Sequence, residues 1–148
     1  MPDANRRSFL VMAKTLTGHC LCGKIAFEVT EPPLGARYCH CRRCQRRTGT
    51  GSSVNAAVQP GTVRVVQGAE LLATFVPPDG ASKSYCPRCG GHLFSSDGED
   101  VVAVRMGAFD DDPGVRPDRR QWVSSMPAWD TLPDDGLARY DGPAPAFG

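Results

Sequence analysis

Seven cysteines lie in three short clusters along the chain, and each cluster has a spacing that suits a metal ion. Thiolates two or three residues apart can share one tetrahedral ion, whereas a disulfide framework spreads its partners along the chain. We interpret the cysteines as metal ligands, with zinc as the default ion for such thiolate sets. The clusters are Cys20 and Cys22, then Cys39, Cys41 and Cys44, and finally Cys86 and Cys89.

The last cluster, Cys86-Pro87-Arg88-Cys89, is followed by Gly90 and Gly91 and has the form of a zinc knuckle. Two thiolates stand on a tight turn, and the glycines let the backbone turn and point N–H groups at sulfur. A thioredoxin-type redox pair is the alternative, but it requires a helix that starts at the motif. Because residues 90–94 are typical of a turn into a strand, the pattern favours metal binding.

The first cluster supplies two thiolates, which is half of the ligand set of a tetrahedral zinc ion. Cys20 and Cys22 are separated by one residue, so in an extended segment both side chains project from the same face. Pairing them with Cys86 and Cys89 closes a four-cysteine structural site that ties distant segments together.

The middle cluster then remains as a set of three cysteines. Three protein ligands with an open fourth position are the usual arrangement of a catalytic zinc. The alternative is a closed site with a histidine as fourth ligand. His40 suits this role poorly, because in an extended segment it points away from Cys39 and Cys41. The histidines that could close the site are His19, His40 and His92.

Four arginines lie beside the middle cluster and could neutralise an anionic ligand at this centre. They are spaced so that members four residues apart are neighbours on a helix, and their repulsion favours an anion or an acidic partner nearby. A solvated helical face is the alternative interpretation. The four are Arg42, Arg43, Arg46 and Arg47.

Composition limits the broad class of protein. The 148 residues, of which 41% are hydrophobic, suit one domain with one modest core. A net charge of +1 argues against nucleic-acid binding through a general positive field. An odd number of cysteines without widely spaced pairs indicates a reducing compartment, so we expect a cytoplasmic protein.

Short strand-like runs separated by Gly and Pro must position these ligands, and we predict a mainly β fold of packed antiparallel sheets with little helix. Ile25, Phe27 and Val29 alternate with polar or small residues, as in a strand with one buried face. The only predicted helix is Arg42–Thr48, ended by Gly49. The other predicted strands are 37–41, 53–58, 62–67, 72–76, 83–86, 92–96, 101–106 and, more weakly, 121–123.

Residues 1–17 are expected to form a flexible extension, residues 18–140 the zinc-binding domain and residues 141–148 a flexible tail. Asn5-Arg6-Arg7-Ser8-Phe9-Leu10 is similar to a twin-arginine export motif, but the long apolar stretch and the cleavage site of such a signal are missing. The sequence contains no transmembrane run, and the Pro- and Gly-rich tail does not order by itself.

Taken together, these motifs resemble the glutathione-dependent formaldehyde-activating enzyme family, whose module is also called the GFA-type or centromere protein V domain. The similarity covers roughly residues 18–140. It rests on GHCLCGKIAFE at 18–28, YCHCRRCQRRTG at 38–49, CPRCG at 86–90, and WVSSMPAW at 122–129 followed by Leu132-Pro133. Arg120 or Gln121 stands where the family often carries a histidine.

The resemblance implies a β-tent architecture with two zinc ions. It implies a structural zinc at Cys20, Cys22, Cys86 and Cys89, and a second zinc at Cys39, Cys41 and Cys44. The family's named activity joins glutathione and formaldehyde into S-hydroxymethylglutathione, so the implied protein is a carbon-sulfur lyase with glutathione as possible co-substrate. In this interpretation the trio is catalytic, His40 or water moves a proton, and the four arginines bind the ligand.

The partner expected from these motifs is a small thiol or its aldehyde adduct, with no role for a membrane or for nucleic acid. A non-catalytic zinc-binding module that docks a protein or nucleic acid is the alternative function. The oligomeric state and the physiological substrate are left open by the sequence.

Overall fold

Strands dominate residues 14–148, the part of the chain that the computed structural model describes. The single α-helix within these residues, α1, spans Arg42–Thr48, and three short 3₁₀ turns lie at Ala69–Leu71, Met106–Ala108 and Val123–Ser125. The strands are β1 Leu16–His19, β2 Ala26–Val29, β3 Gly35–Cys39, β4 Ser53–Ala57, β5 Val63–Gln67, β6 Ala73–Phe75, β7 Ser82–Tyr85, β8 His92–Asp97, β9 Asp100–Arg105, β10 Pro117–Gln121 and β11 Ala138–Arg139. The prediction of a mainly β fold with little helix is confirmed.

The strands form two sheets. A small sheet has the order β1-β2-β5, and a large sheet has the order β11-β10-β3-β4-β9-β8-β7-β6. Most neighbours are antiparallel, as predicted, but β10 pairs parallel with both β3 and β11. A parallel neighbour requires a crossover connection. Here the chain between β3 and β10 contains α1 and the strands β4 to β9. The large sheet is therefore mixed.

The core lies between the small sheet and one face of the large sheet. Ile25, Phe27 and Val29 are at most 1% exposed, which confirms the alternation predicted for this strand. The Phe27 ring meets the Phe94 ring edge-to-face, with centroids 5.1 Å apart. Such aromatic pairs add about 0.5–1.5 kcal/mol beyond the area that they bury.

The opposite face of the large sheet carries polar side chains. In β9, Val104 belongs to the core, whereas Ala103 and Arg105 line a cavity on the other side. Ser95, which pairs with Ala103, lines the same cavity. Because side chains alternate along a strand, one sheet supplies both the hydrophobic core and the floor of a polar cavity.

Helix α1 is bounded by residues that fix its position. Cys41 is the N-cap, and its sulfur accepts a hydrogen bond from the backbone N–H of Cys44 at 3.4 Å. Gly49 is the C-cap at φ 70°, in the left-handed region where glycine carries no steric penalty. Both limits of the helix agree with the prediction.

The chain ends differ from the sequence-based expectation where they are described. Strand β1 begins at Leu16, inside the extension predicted for residues 1–17, whose first thirteen residues, with the arginine pair, lie outside the described residues. The tail packs on the domain, since the Phe147 ring lies under the guanidinium groups of Arg37 and Arg119 at 4.6 and 3.9 Å. Cation–π contacts therefore hold a segment that was predicted to be free.

No helix among the described residues is long and apolar enough to span a membrane. The predicted domain limits of 18–140 remain a prediction.

Candidate metal centres and a cationic cavity

Four cysteine side chains converge between the small sheet and the β7–β8 hairpin. The Sγ atoms of Cys20, Cys22, Cys86 and Cys89 all lie within 4.8 Å of one another. Cys22 Sγ is 3.7 Å from Cys20 Sγ and 3.9 Å from Cys86 Sγ. A zinc–sulfur bond of about 2.3 Å in a tetrahedron places neighbouring sulfurs about 3.8 Å apart. The arrangement therefore fits one zinc ion, and we call it the four-cysteine set.

Two tight turns hold these cysteines. In the first, the Gly23 N–H donates to the Cys20 carbonyl, and the Ile25 N–H donates to Cys20 Sγ at 3.4 Å. In the second, the Gly90 N–H donates to the Cys86 carbonyl at 2.7 Å. A Cβ atom at Gly91 would lie 3.3 Å from Cys89 Sγ, so the turn favours glycine there. This is the knuckle geometry predicted for the last cluster.

The other three cysteines form a separate group, the cysteine trio. Cys39 ends β3, Cys41 caps α1 and Cys44 lies in the first turn of that helix, and their sulfurs lie within 4.8 Å of one another. Within residues 14–148, no His, Asp or Glu side chain joins this group. His19, one of the candidates for a fourth ligand, pairs instead with Asp110.

The thiols of the trio act on one another. The pKa of Cys39 is raised because the Cys41 and Cys44 thiols share hydrogen bonds with it and because it is buried. The pKa of Cys44 is lowered because Cys39 and Cys41 hydrogen-bond to its sulfur. Arg47 NH2 also donates to Cys44 Sγ at 3.5 Å. The trio thus stabilises a thiolate, which is the form that binds a metal ion.

The trio lies in the wall of a cavity of about 740 Å³, which we call the cationic cavity. This volume is in the range of small-molecule sites. Asp79 is the only acidic residue that lines it among the described residues, and its carboxylate already accepts from Arg43 at 2.6 Å. The basic residues that line it are Arg37, Arg42, Arg43, Arg47, Lys83 and Arg105.

Burial and mutual repulsion both act on these basic groups. Burial, followed by the charge of Arg47, lowers the pKa of Arg105 to about 9. Burial, followed by the charge of Arg105, lowers the pKa of Lys83. The partners of the Arg105 guanidinium are neutral, namely Asn55 Oδ1 at 2.5 Å and Ser95 Oγ at 2.7 Å. An anion in the cavity would relieve this excess of positive charge.

Three of the four arginines predicted to bind a ligand line the cavity. Arg42 donates to Gln45 Oε1, and Arg43 donates to the carboxylate and the carbonyl of Asp79. Arg47 is different, because its buried Nε and NH1 atoms have no hydrogen-bond partner among residues 14–148. Arg46 does not line the cavity but lines the adjoining concavity together with Arg43 and Arg47.

Sequence reasoning missed the basic residues that strands bring to the cavity. Arg37, Lys83 and Arg105 come from β3, β7 and β9. The sequence signal for such a residue is one basic side chain in an otherwise apolar strand, at a position whose side chain faces away from the core. Arg105 in Val102-Ala103-Val104-Arg105 is an example. Trp122 is 38% exposed and lines the cavity.

His40 does not take the predicted catalytic position. It is 1% exposed and does not line the cavity. Arg120 NH1 lies 3.3 Å from His40 Nε2, and since arginine only donates, Nε2 accepts. Burial, followed by the charge of Arg120, lowers the pKa of His40. Alternation along the extended segment turns His40 away from its cysteine neighbours, so the structure does not bring His40 to the cavity.

Comparisons with known proteins agree with this geometry. The family model described as glutathione-dependent formaldehyde-activating enzyme matches residues 15–125. A crystal structure of a Rhodobacter sphaeroides protein is similar, with a TM-score of 0.54 and 25% identity, over 84% of this chain and 98% of that chain. No curated protein matches the chain at a significant level. On the extent of the family match, the chain belongs to the glutathione-dependent formaldehyde-activating enzyme family.

Proposed function

We propose that this protein is a zinc-dependent carbon-sulfur lyase that joins a small anionic thiol, of the glutathione type, to an aldehyde of the formaldehyde type. Family membership supports a formaldehyde-activating type of function. The observation that carries the finer proposal is the cysteine trio, which places three sulfur ligands in the wall of the cationic cavity with no fourth His, Asp or Glu ligand among residues 14–148.

Two zinc ions are part of this proposal. The four-cysteine set would hold a structural ion, because four thiolates complete a tetrahedral shell. Cys39, Cys41 and Cys44 would hold the second ion. When bound, zinc with an open position lowers the pKa of a thiol and polarises a carbonyl oxygen.

The chain's own residues would bind and orient the thiol. Glutathione carries two carboxylates at neutral pH, and Arg37 and Arg105 offer guanidinium groups from adjacent parts of the cavity floor. Arginine pairs with carboxylates through two parallel hydrogen bonds. Binding the carboxylates at fixed points places the sulfur at the trio and so supplies proximity to the aldehyde.

Lys83 would take the role first predicted for His40. Its Nζ lies in the cavity and donates to Ser95 Oγ at 3.1 Å. Its lowered pKa makes the ammonium a better proton donor than an ordinary lysine. In the addition, the S–H proton is released to solvent, Lys83 Nζ delivers a proton to the former carbonyl oxygen, and the neutral amine regains a proton from solvent.

Exchange NMR spectroscopy can test the proposal by following hemithioacetal formation from glutathione and formaldehyde. Thiols add to formaldehyde unaided, so each rate is compared with a reaction without protein. We expect the zinc-loaded protein to exceed this blank and Cys41→Ser to match it. Equal rates for both proteins and the blank would replace the lyase with the non-catalytic zinc-binding module.

A further inference from the structure

A second concavity of about 470 Å³ adjoins the cationic cavity, and we call it the apolar groove. It is formed by α1, the β6–β7 hairpin and the start of β8. Four residues line both spaces: Arg43, Arg47, Ala81 and Lys83. The remaining lining residues are Arg46, Phe75, Pro77, Pro78, Tyr85 and His92.

The outer part of the groove is apolar. Phe75 stands on the edge strand β6 and is 60% exposed, although it is a large hydrophobic residue. Pro77 and Pro78 follow it, and Tyr85 comes from the neighbouring strand β7. An exposed cluster of apolar side chains beside a polar site is typical of ligand-binding grooves.

The loop that carries the prolines is held in place. Asp79 accepts from Arg43 through its carboxylate at 2.6 Å and through its carbonyl at 2.7 Å. Gly80 has a φ of 85°, and a Cβ there would lie 2.8 Å from Arg43 NH1. The loop is thus fastened to α1 and gives the groove a defined wall.

The inner end of the groove is polar and lacks partners. Arg47 Nε and NH1 and His92 Nδ1 are buried and make no hydrogen bond within the part of the chain that the structure describes. Unpaired buried polar groups are unfavourable, and a ligand oxygen would accept hydrogen bonds from the Arg47 donors. Arg47 also reaches the trio, since its NH2 contacts Cys44 Sγ. The groove therefore suits a carbonyl compound with an apolar substituent. The carbonyl oxygen would accept from the donors near the trio, and the substituent would contact the apolar wall.

We infer that the apolar groove is the subsite for the substituent of the aldehyde, and that the preferred aldehyde carries an aromatic or comparable apolar group. This inference rests on the proposed function and names its substrate class. Arg47 receives the carbonyl oxygen, the substituent lies against Phe75 and Tyr85, and the thiol enters from the cationic cavity. The S–C bond forms, the C=O π bond breaks, sulfur loses one proton and oxygen gains one, so the addition is balanced. Formaldehyde leaves the groove unfilled.

Binding of unreactive amides tests the groove without turnover. The probes are 3-phenylpropanamide and propanamide, whose carbonyl groups do not add thiols, and calorimetry on the zinc-loaded protein measures their affinities. We expect the phenyl compound to bind about tenfold more tightly. Phe75→Ser should lose most of this preference. Val76→Ser changes an exposed apolar neighbour that does not line the groove, and it should keep the preference.

Turnover forms the second arm of the test. The blank-corrected rate with 3-phenylpropanal, relative to that with formaldehyde, should fall about fivefold in Phe75→Ser and stay unchanged in Val76→Ser. Equal affinity for both amides would overturn the assignment of the groove as the substituent subsite, even if the protein accelerates the reaction of formaldehyde. A phenyl preference that depends on Phe75, without acceleration of either aldehyde, would support the groove and count against the lyase.

Discussion

Arg47 lies between the cysteine trio and the apolar groove. Its NH2 lies 3.5 Å from Cys44 Sγ, while its Nε and NH1 are buried without partners among the described residues. Arg43, four residues before it, is engaged with Asp79 and holds a loop instead. The two arginines looked equivalent in the sequence, and their surroundings give them different tasks.

We predict that Arg47→Gln weakens binding of S-methylglutathione about tenfold, because one of the positive charges that line the cationic cavity and attract an anion is lost. Arg116→Gln is the matched control, since it makes the same change in an exposed surface pair with Asp112. Calorimetry measures both affinities, and thermal melting checks the fold. If Arg47→Gln and wild type bind S-methylglutathione with equal affinity, Arg47 has no role in anion binding and the alternative of a solvated helical face applies.

Lys83 should make anion binding depend on pH. An anion prefers the protonated amine, so affinity is full below the pKa of Lys83 and falls as pH rises through it. Because burial lowers this pKa, the fall should begin below the ordinary lysine value of about 10.4. Glutarate is a suitable probe, since its carboxylates stay ionised throughout this range. In Lys83→Met the affinity at neutral pH should be lower, and the dependence on pH should flatten.

At the scale of elements, two turns and one helix cap carry the cysteines. The knuckles at Cys20–Cys22 and Cys86–Cys89 join the small sheet to the β7–β8 hairpin, and α1 with the end of β3 presents the trio. The four-cysteine set therefore lies at the junction of the two sheets, next to the core, whereas the trio borders the cavity.

This difference in position predicts different effects of losing one ligand. Zinc binding at a closed site supplies on the order of 10 kcal/mol, comparable with the whole stability of a domain. Cys86→Ser should therefore unfold or aggregate the protein. Cys41→Ser should leave a folded protein with one zinc fewer than the two of wild type. Elemental analysis and circular dichroism measure both, and a folded Cys86→Ser protein with unchanged zinc would contradict the structural role.

Local patterns were sufficient to predict some elements and not others. The alternation of Ile25, Phe27 and Val29 identified β2, and Gly49 marked the end of α1, because both signals are contained in a few residues. Strand β10 was placed too late, at 121–123. Trp122 in fact adopts a φ of 56° and ends the strand, and β10 exists through pairing with β3, some 80 residues earlier.

The C-terminal tail is a second segment whose structure local sequence patterns did not predict. Its Pro- and Gly-rich sequence contains no pattern for order, yet Arg119 NH1 donates to the Pro145 carbonyl and Ala144 N–H donates to Gln121 Oε1. Gln121 lines the cationic cavity and also accepts from Arg37. The tail thus supports one wall of the cavity through contacts that only the tertiary fold creates.

At the scale of the whole molecule, charge is distributed unevenly. The net charge is only +1, yet six basic residues line one cavity, and its single acidic residue is already paired. The sequence predicted the ligand sets from cysteine spacing, but the cavity requires residues from β3, α1, β7 and β9 together. Local positive charge at a thiolate centre is suited to a small anionic thiol and not to a nucleic-acid backbone, which needs an extended basic face.

We expect the cysteine trio to hold a zinc ion whose fourth position accepts the sulfur of an anionic thiol. Zinc X-ray absorption spectroscopy counts the sulfur ligands directly. With one ion at four cysteines and one at three, the loaded protein should show a mean of about 3.5 sulfurs per zinc, rising to about 4 with glutathione and staying unchanged with S-methylglutathione. A mean of about 4 before any thiol is added, or no rise with glutathione, would contradict the account.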